Sequence, residues 1–361
     1  MPACAACAAP AALACGACAT PYCTPACQRG AWPAHKGACR AAAAARAAAA
    51  AVATQAKIYA QYLTACSQCA ASFGGREPHE CTRCRTVAYC GVDCQRAAWG
   101  GHKVVCRAAG EAKHAANLAR AEAGNVAAMY DVGLSYKNGT GVAADAHKEV
   151  KWYTRAAEAG YVYAQFNLGG CYENGSGVTA DAREAVKWYT RAAEAGFALA
   201  QHNLGYCYEQ GTGVAVDMHA AVKWYTRAAQ VGNTRAQHNL GLCFADGKGV
   251  AADAHEAVKW FTRAAEAGLA EAQCSLGSCY VHGQGVAVDA AEAVKWFTRA
   301  AEAGYAVAQC NLGICYKNGT GVARDCAAAR TWFTRAAAAG VEQATAALAQ
   351  LDALNAAPRL A

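Results

Sequence analysis

Residues 161–196 read YVYAQFNLGGCYENGSGVTADAREAVKWYTRAAEAG, and a stretch of this form recurs six times along the chain. The period is 36 residues, and the last unit ends at Gly340. The six units begin at Asn125, Tyr161, Phe197, Asn233, Leu269 and Tyr305. A fixed period of this length is the sequence signature of stacked repeats. Because one unit cannot bury its own apolar face, the units are predicted to stack into a superhelix.

Each unit predicts two helices joined by a glycine-containing loop. In the unit quoted above, Ala164, Leu168 and Cys171 follow the spacing of one helix face. The loop G-x-G-V at 175–178 then interrupts the pattern. The same order recurs in every unit, so we expect a chain of helical hairpins.

The second helix of each unit carries its own start and stop signals. Asp181 is suited to cap the helix through a side-chain oxygen, and Gly196 is suited to end it. In three units a glutamate three residues after the aspartate predicts a complete capping box. These glutamates are Glu184, Glu256 and Glu292.

Tryptophan and cysteine each recur at fixed places in the repeats. We interpret both sets as core residues. A metal ladder of the cysteines is not expected, because equivalent positions in stacked units lie about 10 Å apart, too far to share an ion. The tryptophans are Trp152, Trp188, Trp224, Trp260, Trp296 and Trp332. The cysteines are Cys171, Cys207, Cys243, Cys279 and Cys315.

The pattern A-x-x-x-L-G-x-x-Y-x-x-G-x-G-V-x-x-D-x-x-x-A-x-x-W-x-x-x-A-A-x-x-G, read from Ala164 to Gly196, resembles the Sel1-like repeat, a relative of the tetratricopeptide repeat. The resemblance covers residues 125–340. It implies a mostly α fold, a right-handed α-solenoid whose members scaffold protein complexes, and it implies no catalysis. Residues 107–124 are expected to form a capping half-repeat helix. Residues 341–361 are expected to form a C-terminal capping helix and, after Leu354, a frayed tail.

Polar and variable positions on the first helices admit two interpretations. A ladder of glutamines and asparagines could bond a peptide backbone lying in the groove, or it could tie neighbouring units together, which is favoured. The residue at the sixth position varies between units, so a binding partner could be recognised there. The ladder consists of Gln165, Gln201, Gln237, Gln273, Gln309, Asn167, Asn203, Asn239 and Asn311. The sixth position is Tyr130, Phe166, His202, His238, Cys274 and Cys310.

Residues 1–106 hold two further copies of a different pattern. Both copies follow C-x2-C, C-x2-C, C-x3-C and H-x3-C in that order. Eight ligands in four close pairs satisfy two tetrahedral ions, and thiolates with one imidazole select zinc. The first set is Cys4, Cys7, Cys15, Cys18, Cys23, Cys27, His35 and Cys39. The second set is Cys66, Cys69, Cys81, Cys84, Cys90, Cys94, His102 and Cys106.

The chemistry of these sets predicts four structural Zn²⁺ ions, two in each copy. Iron–sulfur signatures do not match the spacing, and disulfides would not explain why histidine recurs at the same offset. A catalytic zinc needs an open coordination position. Each site here is filled by protein ligands, so metal binding is expected to supply folding free energy instead.

The fuller pattern adds Tyr22, Gln28 and Trp32 in the first copy, with the same residue types at Tyr89, Gln95 and Trp99 in the second. It resembles the MYND-type zinc finger, placed at 1–39 and 66–106. Residues 40–65 between the fingers read as an alanine-rich helix or a flexible spacer. The family's known role is docking short proline-containing peptides of partner proteins. Trp32 and Trp99 could contact such a peptide or cover the metal, and packing is favoured.

The resemblance also implies an interleaved pairing of ligands. In the first finger, one ion would be held by Cys4, Cys7, Cys23 and Cys27, and the other by Cys15, Cys18, His35 and Cys39. In the second finger, one ion would be held by Cys66, Cys69, Cys90 and Cys94, and the other by Cys81, Cys84, His102 and Cys106. Sequential pairing is not excluded by the spacing.

Composition and charge narrow the function class. The chain has 361 residues, including 22 cysteines, and no stretch long and apolar enough to span a membrane. No secretory signal is recognised, so we expect an intracellular protein of the cytoplasm or nucleus.

Residues 1–124 carry 13 basic and 5 acidic side chains. Four zinc–thiolate sites would lower their net charge from +8 to about +2, which weakens a nucleic-acid interpretation.

The sequence therefore predicts a non-enzymatic adaptor that binds proteins. The fingers would dock a peptide segment of one partner, and the solenoid groove would bind another. No Gly-rich cofactor loop or convergent catalytic set accompanies the repeats. The alternatives are a nucleic-acid-associated regulatory factor, or an accessory of a methyltransferase or ubiquitin-ligase complex.

Overall fold

The structure, a computed structural model, describes residues 13–14, 21–22, 79–80, 88–89 and 92–356, with side chains described for 107–352. Within these residues it contains fourteen helices and four two-residue strands. The mostly α fold predicted from the sequence is confirmed. The chain divides into two compact units, Met1–Lys113 and His114–Ala361. The predicted linker at 40–65 and the tail after Ala356 lie outside the described residues.

The first unit contains two short antiparallel hairpins. Strands β1 (Leu13–Ala14) and β2 (Pro21–Tyr22) pair with Leu13 opposite Tyr22. Strands β3 (His79–Glu80) and β4 (Ala88–Tyr89) pair with His79 opposite Tyr89. One hairpin therefore lies in each of the two Cys/His segments.

Helix α1 (Val92–Glu122) precedes the repeats. Six helical hairpins follow, and each consists of two helices of 13 residues. The first helices are α2 (Val126–Asn138), α4 (Val162–Asn174), α6 (Ala198–Gln210), α8 (Thr234–Asp246), α10 (Ala270–His282) and α12 (Ala306–Asn318). The second helices are α3 (Ala146–Glu158), α5 (Ala182–Glu194), α7 (Met218–Gln230), α9 (Ala254–Glu266), α11 (Ala290–Glu302) and α13 (Cys326–Ala338). Helix α14 (Glu342–Ala356) closes the series.

The second helices begin at an aspartate, as predicted. The carboxylate of Asp181 accepts bonds from the backbone N–H groups of Arg183 and Glu184. The second half of the predicted capping box is wrong. The backbone N–H of Asp181 donates to the carbonyl of Tyr172, so Glu184 is free to pair with Lys187 instead. Glu256 and Glu292 likewise pair with Lys259 and Lys295.

The second helices end at a left-handed glycine. Gly196 has a φ of +89°, and its N–H donates to the carbonyl of Ala193. The next N–H, from Phe197, donates to the carbonyl of Ala192. This pair of bonds satisfies the free carbonyls at the helix end, and it confirms the predicted stop.

The loop between the two helices fixes how one repeat meets the next. Gly177 has a φ of +71°, and a Cβ built on it would lie 2.1 Å from the carbonyl oxygen of Ala146 in the preceding repeat. The second glycine of G-x-G-V makes the same close approach at Gly213, Gly249, Gly285 and Gly321. Only glycine permits this contact between backbones.

The core runs along the stack as a series of buried clusters. Ala185, Tyr189 and Ala192 of one repeat pack with Leu204 and Cys207 of the next. The five recurring cysteines are all buried, which confirms them as core residues. Trp152, Trp188 and Trp296 are buried, whereas the other three repeat tryptophans lie only partly buried against the clusters.

Helix α14 packs on the last repeat. Its residues Ala344 and Leu351 are buried in one cluster with Phe333 of α13. Lys317 donates to the side-chain oxygen of Gln350 at 2.8 Å. These contacts end the stack by covering an apolar surface that would otherwise face solvent.

Candidate partner-binding site

Three of the sixteen predicted zinc ligands lie on a described element. Cys94, His102 and Cys106 all belong to α1. The i, i+4 spacing of His102 and Cys106 on a continuous helix places both residues on one face, as a shared tetrahedral ion requires. The other thirteen lie outside the described residues. In the described part of the chain no group of three or more His, Cys, Asp or Glu side chains is placed to hold a metal ion.

In both Cys/His segments, the strands and several of the other predicted cysteine ligands follow one another in the same order along the sequence. Cys15 and Cys18 fall between β1 and β2, and Cys23 directly follows β2. The second segment has the same order, with Cys81 and Cys84 between β3 and β4 and Cys90 after β4. In both segments, then, the second cysteine pair lies between the two strands in the sequence and the third pair begins after them. This order is compatible with the predicted ligand set and with both pairings of ligands.

The glutamine ladder on the first helices is structural. The side-chain amide of Gln165 donates to the carbonyl of Ala157 at 3.1 Å, which ties the repeat to the end of the preceding helix. The bond recurs at 3.0–3.1 Å from Gln201, Gln237, Gln273 and Gln309. All five side chains are buried. The interpretation that these glutamines join neighbouring units is confirmed.

The sixth position, counted from the first residue of each unit, also serves contacts between units. Position 6 of one repeat meets position 7 of the next: the Asn167 amide donates to Tyr130 Oη at 3.2 Å, and His238 Nε2 lies 3.0 Å from Ser275 Oγ. The ring of His238 also packs on Phe261 with centroids 5.6 Å apart. Position 6 therefore has a packing role in the stack, and its recognition by a partner stays a prediction.

The exposed apolar side chains lie instead at positions 3 and 10 of the first helices. These positions are seven residues apart and share one helix face. Of nine large apolar side chains exposed in the described residues, six occupy them. They are Tyr163, Leu199, Tyr206, Leu242, Val307 and Ile314, each between 39% and 52% exposed. We call this surface the first-helix face.

Sequence reasoning missed the first-helix face. The signal that could have found it is an apolar residue on the side of an amphipathic helix opposite its core positions. Leu199, for example, precedes the core residue Ala200 by one position and so points away from it. The other exposed apolar residues, Val216, Val231 and Val288, lie outside the first helices.

Aromatic rings concentrate at the N-terminal end of the first-helix face. Tyr163 lies 5.6 Å from Tyr161 and 5.2 Å from Phe197, measured between ring centroids. Tyr130 lies 5.2 Å from Tyr161. Aromatic rings provide large contact area at low conformational cost, and they are enriched where proteins bind other proteins.

The second helix of each repeat carries an exposed arginine whose position is explained by packing. In every repeat an arginine guanidinium lies over the tryptophan one turn earlier, such as Arg191 over Trp188 at 4.5 Å. All six such distances fall between 4.4 and 4.7 Å. The arginine packs on the indole with its own apolar surface. The second helices therefore offer no free aromatic surface at these positions.

Buried titratable groups on the first helices are held in their neutral forms. Burial raises the pKa of the Cys171 thiol to about 12, and it raises those of Cys207 and Cys243 to about 11. Burial also lowers the pKa of His202 and of His238 below the ordinary value of 6.5. Near neutral pH these buried thiols and imidazoles are therefore uncharged.

No helix in the described part of the chain is long and apolar enough to cross a membrane.

Two family models match the chain. The Sel1 repeat model matches six consecutive segments: 126–161, 162–197, 198–233, 234–269, 270–305 and 306–341. The MYND finger model matches residues 4–39 and 62–106. The predicted order of two fingers followed by six repeats is confirmed.

Solved structures support the repeat fold. A protective antigen present in uropathogenic Escherichia coli strains, which displays an SLR fold, is 34% identical with a TM-score of 0.64. That match covers 68% of this chain and 53% of the antigen. A Sel1 repeat protein from Oxalobacter formigenes is 38% identical with a TM-score of 0.55, and the match covers 59% of this chain and 85% of that protein.

A curated relative matches a shorter stretch. SET domain-containing protein 14 of Caenorhabditis elegans is 37% identical over 82 residues, which is 19% of each chain. This chain therefore spans about a fifth of the length of that relative.

Proposed function

The chain belongs to the Sel1 repeat family, and because two MYND fingers precede its repeats, we propose that it is a non-enzymatic adaptor joining two protein partners. The fingers would dock a short peptide segment of one partner, and the first-helix face would bind a segment of the other. It would act inside the cell, in the cytoplasm or nucleus.

The observation that carries this proposal is the first-helix face. Exposed apolar side chains recur there in repeats two, three, four and six, although the same helices have complete cores. Exposed apolar surface is costly for a protein that has no partner. An extended or helical protein segment lying across successive repeats would cover these side chains together.

Zinc would be the structural support of the fingers. MYND fingers are zinc-binding domains, and we propose that the sixteen Cys and His residues named above hold four Zn²⁺ ions. The continuous helix that carries Cys94, His102 and Cys106 supports this ligand set. Bound zinc would supply the cross-links that a finger too small for a hydrophobic core needs.

The adaptor proposal is tested by capture with full-length baits from a lysate of the source organism, treated with nuclease. A face variant carries Leu199→Glu, Tyr206→Glu and Leu242→Glu, and a finger variant carries Cys90→Ser and Cys94→Ser. We expect the face variant to lose one set of proteins and the finger variant to lose a different set.

The matched control places glutamate at Val216, Val231 and Val288, which are exposed but lie outside the first helices. This control is expected to capture the same proteins as the unchanged chain. Loss of a single common set from both variants would contradict two independent docking sites. Proteins lost on nuclease treatment alone would support the nucleic-acid alternative.

A further inference from the structure

A cavity of about 600 Å³ lies between the first two repeats. Its walls come from α2, α3 and α4, and Tyr189 of α5 completes them. Its lining includes Asn167 and Gly170 at positions 7 and 10 of the second repeat, and position 10 belongs to the first-helix face. The cavity is therefore continuous with the line of residues that forms the first-helix face.

This cavity has a glycine at position 10, whereas a smaller cavity of about 320 Å³ at the equivalent place between the fifth and sixth repeats is lined by Ile314. The other five repeats carry larger residues at position 10, namely Leu134, Tyr206, Leu242, Ser278 and Ile314. A Cβ on Gly170 would meet the hydroxyl of Tyr189 at 3.7 Å, which is ordinary contact. The helix would therefore accept a side chain here, so neither backbone conformation nor close packing requires this glycine.

A buried carboxylate lines the same cavity. Glu149 is only 4% exposed, and it occupies position 25, where the other five repeats have a buried alanine. Its polar contacts are with the Cys171 thiol, whose Sγ lies 3.8 Å from Oε1, and with Lys137, whose Nζ lies 4.0 Å away. Neither is a close hydrogen bond. Burying a carboxylate with so little compensation costs free energy, and burial raises the pKa of Glu149.

The other charged groups of the cavity leave an excess of negative charge. Glu173 accepts a bond from the Tyr189 hydroxyl at 2.6 Å. Asp145 is paired with Lys148, whose Nζ lies 3.3 Å from its carboxylate. Lys137 is the remaining cation of the lining, and its own side chain is 50% exposed, whereas Glu149 and Glu173 both contribute carboxylates.

Aromatic rings complete the lining. Phe166 and Tyr189 both border the cavity, and their ring centroids are 5.7 Å apart. A planar guanidinium can stack on an aromatic face while its N–H groups donate to carboxylates, and it is more weakly hydrated than an ammonium group. A partly enclosed cavity that contains both features favours this cation.

We propose that this cavity binds the guanidinium group of an arginine side chain on the partner protein. This inference rests on the proposed function, because the arginine would belong to the segment that lies along the first-helix face. The buried Glu149 would gain the charged hydrogen-bond donor that the free protein does not provide. Phe166 and Tyr189 would contact the guanidinium plane.

Isothermal titration calorimetry on the full-length, zinc-loaded chain tests this assignment. The probe is N-acetyl-arginine amide, and the matched neutral probe is N-acetyl-citrulline amide, which has nearly the same shape. We expect a dissociation constant on the order of 1 mM for the arginine probe, and binding at least tenfold weaker for the citrulline probe. Equal binding of the two probes would overturn the proposal.

Two variants locate the binding. Glu149→Gln removes the buried charge at nearly constant volume, and Gly170→Leu fills the cavity with the residue that repeats one and four already carry. Both are expected to weaken the arginine probe at least tenfold while retaining the helical signal by circular dichroism. Ser278→Leu, at position 10 of the fifth repeat, and Glu194→Gln, on an exposed helix end, should bind as the unchanged chain does. Unchanged affinity in both cavity variants would place the probe elsewhere and refute the assignment.

A final comparison separates a protein side chain from a free metabolite. The blocked peptide acetyl-Ala-Arg-Ala-amide is expected to bind more tightly than agmatine, since its backbone can also contact the first-helix face. Tighter binding of agmatine would contradict a protein source. If neither binds but the face variant still loses its partners, this inference fails while the adaptor proposal stands.

Discussion

At the residue scale, the aromatic residue at position 29 differs between repeats in whether it carries a buried hydroxyl. Position 29 is tyrosine in the first three repeats and phenylalanine in the last three. Its ring presses against the glycine at position 9, where a Cβ on Gly169 would lie 2.7 Å from the ring of Tyr189. The hydroxyls of Tyr189 and Tyr225 donate to Glu173 and Glu209, each at 2.6 Å.

The repeats with phenylalanine lack that carboxylate. Position 13 is Ala245, Val281 or Lys317 in the fourth, fifth and sixth repeats. The first repeat departs from this pattern, because its position 13 is Lys137 and the buried Tyr153 hydroxyl has no hydrogen-bond partner within the described residues. In the other five repeats tyrosine occurs only where a carboxylate faces it, as the cost of a buried hydroxyl without an acceptor predicts. This dependence between distant positions is visible only once the two helices are placed side by side.

Thiol accessibility gives a first prediction. Eight cysteines of the repeats have described side chains, and Cys326 is the exposed one. We expect iodoacetamide to modify Cys326 in the native, zinc-loaded protein while the seven buried thiols stay unmodified, because burial raises the pKa of these thiols and blocks access. Peptide mass spectrometry after brief labelling measures this. Rapid labelling of Cys207 or Cys243 would contradict the buried core assignment.

The buried imidazoles give a second prediction. His202 Nε2 lies 3.4 Å from the amide nitrogen of Asn239, which can only donate, so the ring accepts and is neutral. Burial lowers the pKa of His202 and His238 in the folded protein, whereas in the unfolded chain both titrate near 6.5. As the pH falls below about 7, the unfolded state therefore binds more protons, and the free energy of unfolding decreases.

Replacing both imidazoles with a neutral amide, His202→Gln with His238→Gln, should reduce this loss of stability between pH 7 and pH 5. Urea midpoints at each pH, followed by far-UV circular dichroism, measure it. The matched control changes His219 and His255, which are exposed on the second helices, and should keep the original pH dependence. A double variant whose pH dependence equals that of the unchanged protein would rule out the buried histidines as its cause.

At the element scale, the loop glycines distinguish two reasons for using glycine. Gly268 ends α9 with a φ of +91° and has no atom within 4 Å of a built Cβ. Gly285 has a φ of +69°, but its Cβ would lie 2.1 Å from the carbonyl oxygen of Ala254 in the preceding repeat. The first glycine is required by conformation alone, and the second by conformation and by contact between repeats.

This difference gives a third prediction. Gly268→Ala is expected to cost about 1–2 kcal/mol, the strain of a left-handed alanine. Gly285→Ala is expected to cost at least about 3 kcal/mol, because the backbones of two repeats must also move apart. Urea unfolding of both variants measures the difference. Equal costs would show that the G-x-G-V loop does not set the spacing between repeats.

At the scale of the whole molecule, metal content tests the fingers as a pair. We predict four zinc ions per chain, counted by native mass spectrometry. A count of two would mean that one predicted ligand set is incomplete. The variant with Cys90→Ser and Cys94→Ser should lose at least one ion, and the control variant with Cys326→Ser should lose none, because Cys326 lies on α13 in the repeats.

Chelation tests whether the fingers and repeats depend on each other. Removing zinc is expected to unfold residues 1–106, since metal binding supplies most of their folding free energy. The helical signal of the repeats should persist, because their cores consist of apolar contacts between helices of 13 residues. Loss of both signals together on adding a chelator would contradict this independence.

The sequence by itself determined the repeat fold, the family and the chemistry of the predicted zinc ligands. Period, capping aspartates and glycine stops are local signals, and each acts within a few residues of the chain. Cysteine spacing is also local, so it predicts a ligand set without any knowledge of tertiary contacts.

Only the tertiary structure decided which side chains are left for a partner. Position 6 appeared free because it varies, yet its side chains bond to the next repeat 37 residues away. Leu199 and Tyr206 are exposed because no neighbouring helix covers that face. The cavity beside Glu149 is likewise formed by residues of two successive repeats. Whether a side chain is buried depends on which other helix packs on it. A sequence pattern does not show which helices are neighbours in the fold.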